Sequence, residues 1–233
     1  MSEPLLVQAH GLVKHYRQGT LEVPALRGLD LELRRGEFAV LAGSSGSGKT
    51  TLLNLIGALD VPTSGTLSVD GQELARLSGR ALARLRLRRL GFVFQAFNLV
   101  PVLTAYENAE YVLLLQGVKT DERRRRVSEV LHAVGLEGLE GRRPAELSGG
   151  QQQRVAVARA IAAEPALVLA DEPTANLDSR TGAELVRTMR ALNAERGVTF
   201  LFSSHDPKVI DHADRVIRLE DGRIVDDSAR AAA

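Results

Sequence analysis

The sequence predicts an α/β domain built on a largely parallel sheet, and three observations point to it. Strand-like and helix-like segments alternate along most of the chain. Phe38–Ala42 is a continuous apolar run, the pattern of a strand buried on both faces, and it leads through a glycine- and serine-rich turn into a helical pattern. Leu167–Ala170 and residues 198–202 are two further runs of the same kind, separated by a segment with helical spacing.

In chain order, residues 5–9 and 29–33 alternate or cluster apolar side chains and predict opening strands, and residues 65–71 predict another between turns. After Phe38–Ala42 a helix is expected over residues 49–59. From about 96 to 163 the pattern changes. Residues 121–134 place Val127, Val130, Leu131 and Val134 on one helical face, behind Asp121 and Glu122 in the first turn. Residues 151–163 are alanine-rich and stop before Pro165. This stretch reads as a mainly helical subdomain inserted in the α/β core. Further on, Ser179–Arg196 carries Leu185, Met189 and Leu192 at helical spacing and closes at Gly197, a C-cap. Residues 215–219 and 224–225 predict short strands joined at Asp221-Gly222. The domain is expected over 5–227, with 228–233 as a frayed tail.

Composition excludes several classes. The 233 residues are 44% hydrophobic and 25% charged, the balance of a folded globular chain. Thirty basic residues against 29 acidic ones leave a net charge of +1, so no global field marks nucleic acid or an acidic membrane as partner. With no cysteine there are no disulfides, Cys-ligated zinc or iron–sulfur clusters. Apolar runs such as 38–42 and 111–115 fall far short of the roughly 18 residues that cross a bilayer. The first residues lack the basic and long apolar regions of a signal peptide, so a soluble intracellular protein is expected. No period of about 20–50 residues repeats, which excludes solenoids and propellers.

Gly43-Ser44-Ser45-Gly46-Ser47-Gly48-Lys49-Thr50 fits G-x-x-x-x-G-K-[ST] at every fixed position, between an expected buried strand and a helix. Glycines let backbone N–H groups converge on phosphate oxygens, and the helix N-terminus adds positive potential. Lys49 is expected to bridge the β- and γ-phosphates and the Thr50 hydroxyl to coordinate Mg²⁺. The motif predicts a nucleoside triphosphate site.

Asp171 and Glu172 follow the buried run Leu167–Ala170, at the carboxyl end where such sheets bind ligands. Alone, a strand ending in Asp-Glu fits a solvated turn better. Beside a phosphate loop it fits Mg²⁺ held by Asp171 through water, with Glu172 orienting or deprotonating an attacking water. Leu147-Ser148-Gly149-Gly150-Gln151 is a helix start, with Ser148 as N-cap and Gln151 as its capping-box partner. By itself it reads as a capping box. Its two glycines also make it a second anion receptor, suited to another molecule's nucleotide.

In this order the motifs resemble the ATP-binding subunits of ABC transporters, from about residue 5 to 227. The family's phosphate loop stands at Gly43 to Thr50, with Thr51 after it. Its lone Gln is Gln95, its LSGGQ signature Leu147 to Gln151, its Asp-Glu pair Asp171-Glu172, its D-loop Asn176-Leu177-Asp178 and its switch histidine His205. Tyr16 matches the family's adenine-stacking aromatic. The resemblance implies the ABC ATPase fold: a P-loop NTPase core, an N-terminal antiparallel β subdomain and an inserted helical subdomain. It implies ATP and Mg²⁺ as ligands, ATP sandwiched between two copies facing head to tail, and Ser148 to Gln151 of one capping the γ-phosphate of the other. Glu172, His205 and Gln95 would carry catalysis, and Thr50, Gln95 and Asp171 the metal.

Within the family, Leu59-Asp60-Val61-Pro62-Thr63-Ser64-Gly65, Gly91-Phe92-Val93-Phe94-Gln95 and Glu107-Asn108 resemble the lipoprotein-releasing and macrolide-exporter (LolD/MacB-like) branch. Glu110-Tyr111 departs from it, where an apolar-Pro stretch is more usual. Macrolide exporters fuse this domain to membrane helices, so a separate permease polypeptide is expected here, with the subunit peripheral on the cytoplasmic face of the inner membrane. Two alternatives share the same site: a subunit working a membrane regulator without transport, of cell-division type, and a soluble ABC ATPase. Arg123 to Arg126, flanked by acids, reads as a solvated face.

Overall fold

The computed structural model describes residues 5–19 and 21–229, and for Gln18 the backbone alone. Strands β1 (Leu5–Gln18), β2 (Leu21–Arg34), β4 (Ser64–Val69) and β5 (Gln72–Glu73) form an antiparallel sheet in the order β2-β1-β4-β5. A second sheet has the order β10-β9-β3-β8-β7-β6, from β3 (Phe38–Ala42), β6 (Leu90–Val93), β7 (Leu167–Ala170), β8 (Thr199–Ser204), β9 (Arg215–Glu220) and β10 (Arg223–Ala229). Five of these six run parallel, and β10 folds back antiparallel on β9. The helices are α1 (Lys49–Ile56), α2 (Gly79–Arg89), α3 (Ala105–Leu115), α4 (Thr120–Ala133), α5 (Gly149–Ala162), α6 (Ser179–Arg196) and the short α7 (Pro207–Ile210).

The central sheet separates two cores, and strand alternation divides its side chains between them. Phe38, Val40, Val168, Ala170, Phe200 and Phe202 join the core shared with α3 to α6. Ala39, Leu41, Leu167, Leu169 and Leu201 join the core shared with α1 and the antiparallel sheet. A strand supplying both cores must be apolar at consecutive positions, which is why β3, β7 and β8 read as unbroken runs. Phe38 packs against Phe200 and Phe202 with ring centroids 5.5 and 5.0 Å apart.

Several elements differ from the sequence reading. The first two strands are longer than expected, 14 residues each, because bulges hide their alternation: the register shifts repeatedly, and Gly11 and Gly28 sit at φ 56° and 79°. The third antiparallel strand ends at Val69, with Asp70-Gly71 forming the turn at positive φ. Helix α1 stops at Ile56, and the chain reverses through Ala58 at φ 53°. Helix α2 carries five arginines, and its Leu85-Arg86-Leu87-Arg88 has the period of a strand, so the pattern gave no helix there. The 111–115 run is the last turn and more of α3. Ser228 and Ala229 are not frayed: they end β10, paired with Val216 and Arg215 of β9, while 230–233 lie outside the described residues. Ser179–Arg196 is one helix, closed by Gly197 at φ 65°.

Arg123 pairs with Glu110 at 2.8 Å, Arg125 with Glu122 and Glu129, and Arg126 with Glu122 and Glu164. The arginine run thus closes on acids of its own helix and neighbouring segments, and Glu110, the departure noted above, is one of them.

Candidate active site

The parallel strands deliver the chemistry at their carboxyl ends, where the sheet topology leaves a crevice. β3 ends in the phosphate loop, β7 in Asp171-Glu172, β8 in Ser203-Ser204 before His205, and β6 two residues before Gln95. Asp171 N–H donates to the Val93 carbonyl at 2.9 Å, tying two strand ends together. Ser44, Lys49, Thr50, Thr51, Gln95, Asp171, Glu172 and His205, with Ser45, Gly46 and Gly48, line one cavity of about 610 Å³.

The phosphate loop is held from below. The Lys49 ammonium, buried, donates to the carbonyls of Gly43 at 2.7 Å and Ser44 at 3.0 Å. Gly222, at the β9–β10 turn, donates its N–H to the Ser47 carbonyl at 3.0 Å. Gly48 needs to be glycine twice over: φ is 107°, and a Cβ there would lie 2.7 Å from the Ala25 carbonyl oxygen. Helix α1 has no side-chain cap, so its first N–H groups face the loop rather than a protein acceptor. Ser47 Oγ is buried without a hydrogen-bond partner among the described residues.

Beside the loop the carboxylates form a connected set. Asp171 Oδ1 accepts from Ser203 Oγ at 2.7 Å and from Thr50 Oγ1 at 3.1 Å. Glu172 sits at φ 45°, a left-handed conformation that costs a non-glycine residue energy, and its N–H is held by Ser203 Oγ at 2.9 Å. Both Glu172 carboxylate oxygens lie 3.1 Å from His205 Nδ1, and Oε1 lies 3.6 Å from Lys49 Nζ. This donor set fits a hard cation shared with a polyphosphate. Thr50 and Asp171 offer adjacent oxygen donors and Gln95 shares their cavity, whereas no cluster of three or more His, Asp or Glu residues among the described residues forms a cage of its own.

Other expected residues lie apart. The Tyr16 hydroxyl donates to Asp60 Oδ2 at 2.9 Å, and Lys14 Nζ lies 4.9 Å from its ring centroid. Burial, with the Asp60 carboxylate, raises the Tyr16 phenol above its ordinary range. Ser148 Oγ accepts from Gln151 N–H at 3.3 Å, and Gln151 Oε1 accepts from Ser148 N–H at 2.8 Å, completing the capping box. None of Leu147, Ser148, Gly149, Gly150 and Gln151 lines the phosphate cavity. Asp178 caps α6, accepting from Arg180 N–H, Thr181 N–H and Thr181 Oγ1. The Thr181 hydroxyl and these amides hold its carboxyl below the usual range. Sequence reading passed over Ser203 and Gln153. For Ser203 a signal existed: the apolar run of β8 ends in two buried serines just before His205.

Comparison with known proteins matches this arrangement. A family model described as ABC transporter covers residues 26–175. The chain is similar to a lipoprotein-releasing system ATP-binding protein LolD from Anaeromyxobacter dehalogenans, 47% identical over 97% of both chains. It is also similar to a macrolide export ATP-binding/permease protein MacB from Syntrophobacter fumaroxidans, 46% identical over 96% of this chain but 32% of that protein. A solved dimeric structure of MJ0796, described as a bacterial ABC transporter cassette, superposes with a TM-score of 0.90 at 40% identity, covering 98% of this chain and all of the other. A second MJ0796 structure, a dimeric post-hydrolysis state bound to ADP and Pi, gives a TM-score of 0.89 at 40% identity over 98% of this chain and 100% of that one. The chain belongs to the ABC transporter family, as an ATP-binding ATPase subunit of the LolD/MacB type.

Proposed function

We propose that this ATPase drives a membrane permease carried on a separate polypeptide, of export or lipoprotein-release type, and that two copies close head to tail on ATP. The observation that carries the reading is the separation of the two glycine-rich receptors. The phosphate loop shares its cavity with Asp171, Glu172, Gln95 and His205, while Ser148 to Gln151 lie outside it. A second chain placed head to tail brings each signature onto the other's γ-phosphate.

The contacts support a role for each residue. The N–H groups of residues 43–50 receive the phosphates, and Lys49, already under the loop, meets the β- and γ-phosphate oxygens. Adenine stacks on the Tyr16 ring. Thr50 and Gln95 would hold Mg²⁺, with Asp171 helping through water, and the ion would supply charge neutralisation to the phosphates. Glu172 accepts the proton of the attacking water, kept in place by Ser203 behind and His205 beside it. His205 Nδ1 faces Glu172, which leaves Nε2 for the γ-phosphate.

A second feature supports a membrane partner. Among the described residues no helix is long and apolar enough to cross a membrane. An apolar groove of about 430 Å³, lined by Leu59, Leu87, Phe92, Phe94 and Val112, opens beside the segment that carries Gln95. Phe92 and Phe94 stack within it, 5.9 Å apart. A permease segment seated there would reach a metal ligand through Phe94, and so link its own movement to hydrolysis. The test is Mg-ATP hydrolysis by the subunit alone and with co-purified membrane protein. Co-purification of a polytopic protein that changes the turnover is expected; association with soluble or nucleic-acid partners alone would overturn the permease assignment.

A further inference from the structure

Gln153 lies on α5, two residues beyond Gln151, and is wholly buried. Its Nε2 donates to the Pro173 carbonyl at 2.7 Å and to the Phe94 carbonyl at 3.3 Å. Those carbonyls belong to the neighbours of Glu172 and Gln95, 59 and 20 positions from Gln153 for Phe94 and Pro173 respectively. The same two loops are held elsewhere as well. Asn176 Nδ2 donates to the Gln95 carbonyl at 2.9 Å, and Ser203 Oγ accepts from Glu172 N–H at 2.9 Å. The carbonyl of Pro173, next after Glu172, and the carbonyl of Phe94, just before Gln95, therefore converge on one amide nitrogen.

Gln153 Oε1 has no hydrogen-bond partner among the described residues. For packing alone, methionine would fill the same space without leaving a buried acceptor unpaired. What the amide adds is a donor between two carbonyls, at the rear of the cavity where the base and the metal ligand must keep a fixed separation.

We infer that Gln153 is a positioning residue for hydrolysis: its amide sets the separation of Glu172 and Gln95 and ties both to the helix that begins at Ser148. The inference rests on Glu172 acting as the base. Gln153 does not line the phosphate cavity. It acts through the backbone of Pro173 and Phe94, the neighbours of Glu172 and Gln95, and it links the signature helix of one chain to the reacting groups of that same chain. A shift of α5 when its start engages a phosphate is thereby transmitted to Glu172 and Gln95.

The experiment compares wild type, Gln153→Met and Glu172→Gln for Mg-ATP affinity, kcat, KM and thermal unfolding. Gln153→Met is expected to bind Mg-ATP within about twofold of wild type and to melt within a few degrees of it, while kcat falls about tenfold or more at little-changed KM. Gln153→Asn, which keeps the amide but withdraws it by one methylene, should show the same split and serves if the methionine variant does not fold. Unchanged kcat in either folded variant overturns the inference, as does loss of affinity in step with kcat. If Glu172→Gln retains full turnover, the assignment of the base fails. If it loses turnover while Gln153→Met does not, the positioning role alone fails.

Discussion

At the start of helix α1, Gly48 offers no side chain and no cap bond forms; at the start of α5, Ser148 and Gln151 satisfy each other's N–H groups. Both helices begin in glycine-rich turns and both present positive potential. They differ in their surroundings. The α1 turn carries Lys49 and faces Asp171, Glu172 and His205, whereas the α5 turn has no carboxylate of its own site within the phosphate cavity. An uncapped helix start can give its amides to a tightly held phosphate, and the capped one is stable by itself and leaves only part of its N–H set for a ligand. Under the proposed function one receptor holds and reacts and the other recognises.

The largest expected effect isolates reaction from holding. Glu172→Gln keeps the shape of the side chain and removes the proton acceptor, so Mg-ATP turnover should fall by about 10²–10⁴-fold while nucleotide binding persists, measured by phosphate release and by calorimetric titration. Lys49→Ala tests the holding receptor. Losing a charge-assisted contact of about 1.5–3 kcal/mol should weaken ATP by about 10–150-fold, and equal affinity in the two proteins would contradict the phosphate assignment. Ser148→Ala tests the recognising receptor in the free chain. Removal of its cap should cost about 0.5–2 kcal/mol in denaturant unfolding with monomer affinity for ATP unchanged. Ser47→Ala should be the mildest. It removes a buried hydroxyl with no partner, so stability should stay within about 0.5 kcal/mol of wild type or rise slightly.

The same contrast explains what could be read from the chain. The phosphate loop and the signature are contiguous, and their spacing is itself the mechanism of a helix start, so both were legible together with the strand and helix around them. Asp171 and Glu172 were legible as the end of an apolar run, Gln95 and His205 only through the family resemblance, and the parallel sheet brings all four onto one cavity. Gln153 was not singled out because its partners lie 20 and 59 positions away and an isolated Gln carries no local pattern, whereas Ser203, whose partner Glu172 lies 31 positions away, was marked only by its place at the end of the β8 apolar run. Helix α2 was missed for an opposite reason: its leucines and arginines alternate with the period of a strand, and only tertiary contact decides for a helix. The two long antiparallel strands were read in fragments because bulges break their alternation.

Light scattering decides whether the α5 receptor serves a second chain's phosphate. Glu172→Gln at tens of micromolar with saturating Mg-ATP should run at twice the mass of the chain and return to the single mass with ADP. Adding Ser148→Arg should fill the mouth of the receptor and keep the protein single while ATP remains bound. A Glu172→Gln protein that binds ATP yet stays single, alone and in complex with its membrane partner, or a pair that persists with Ser148→Arg, would contradict the account.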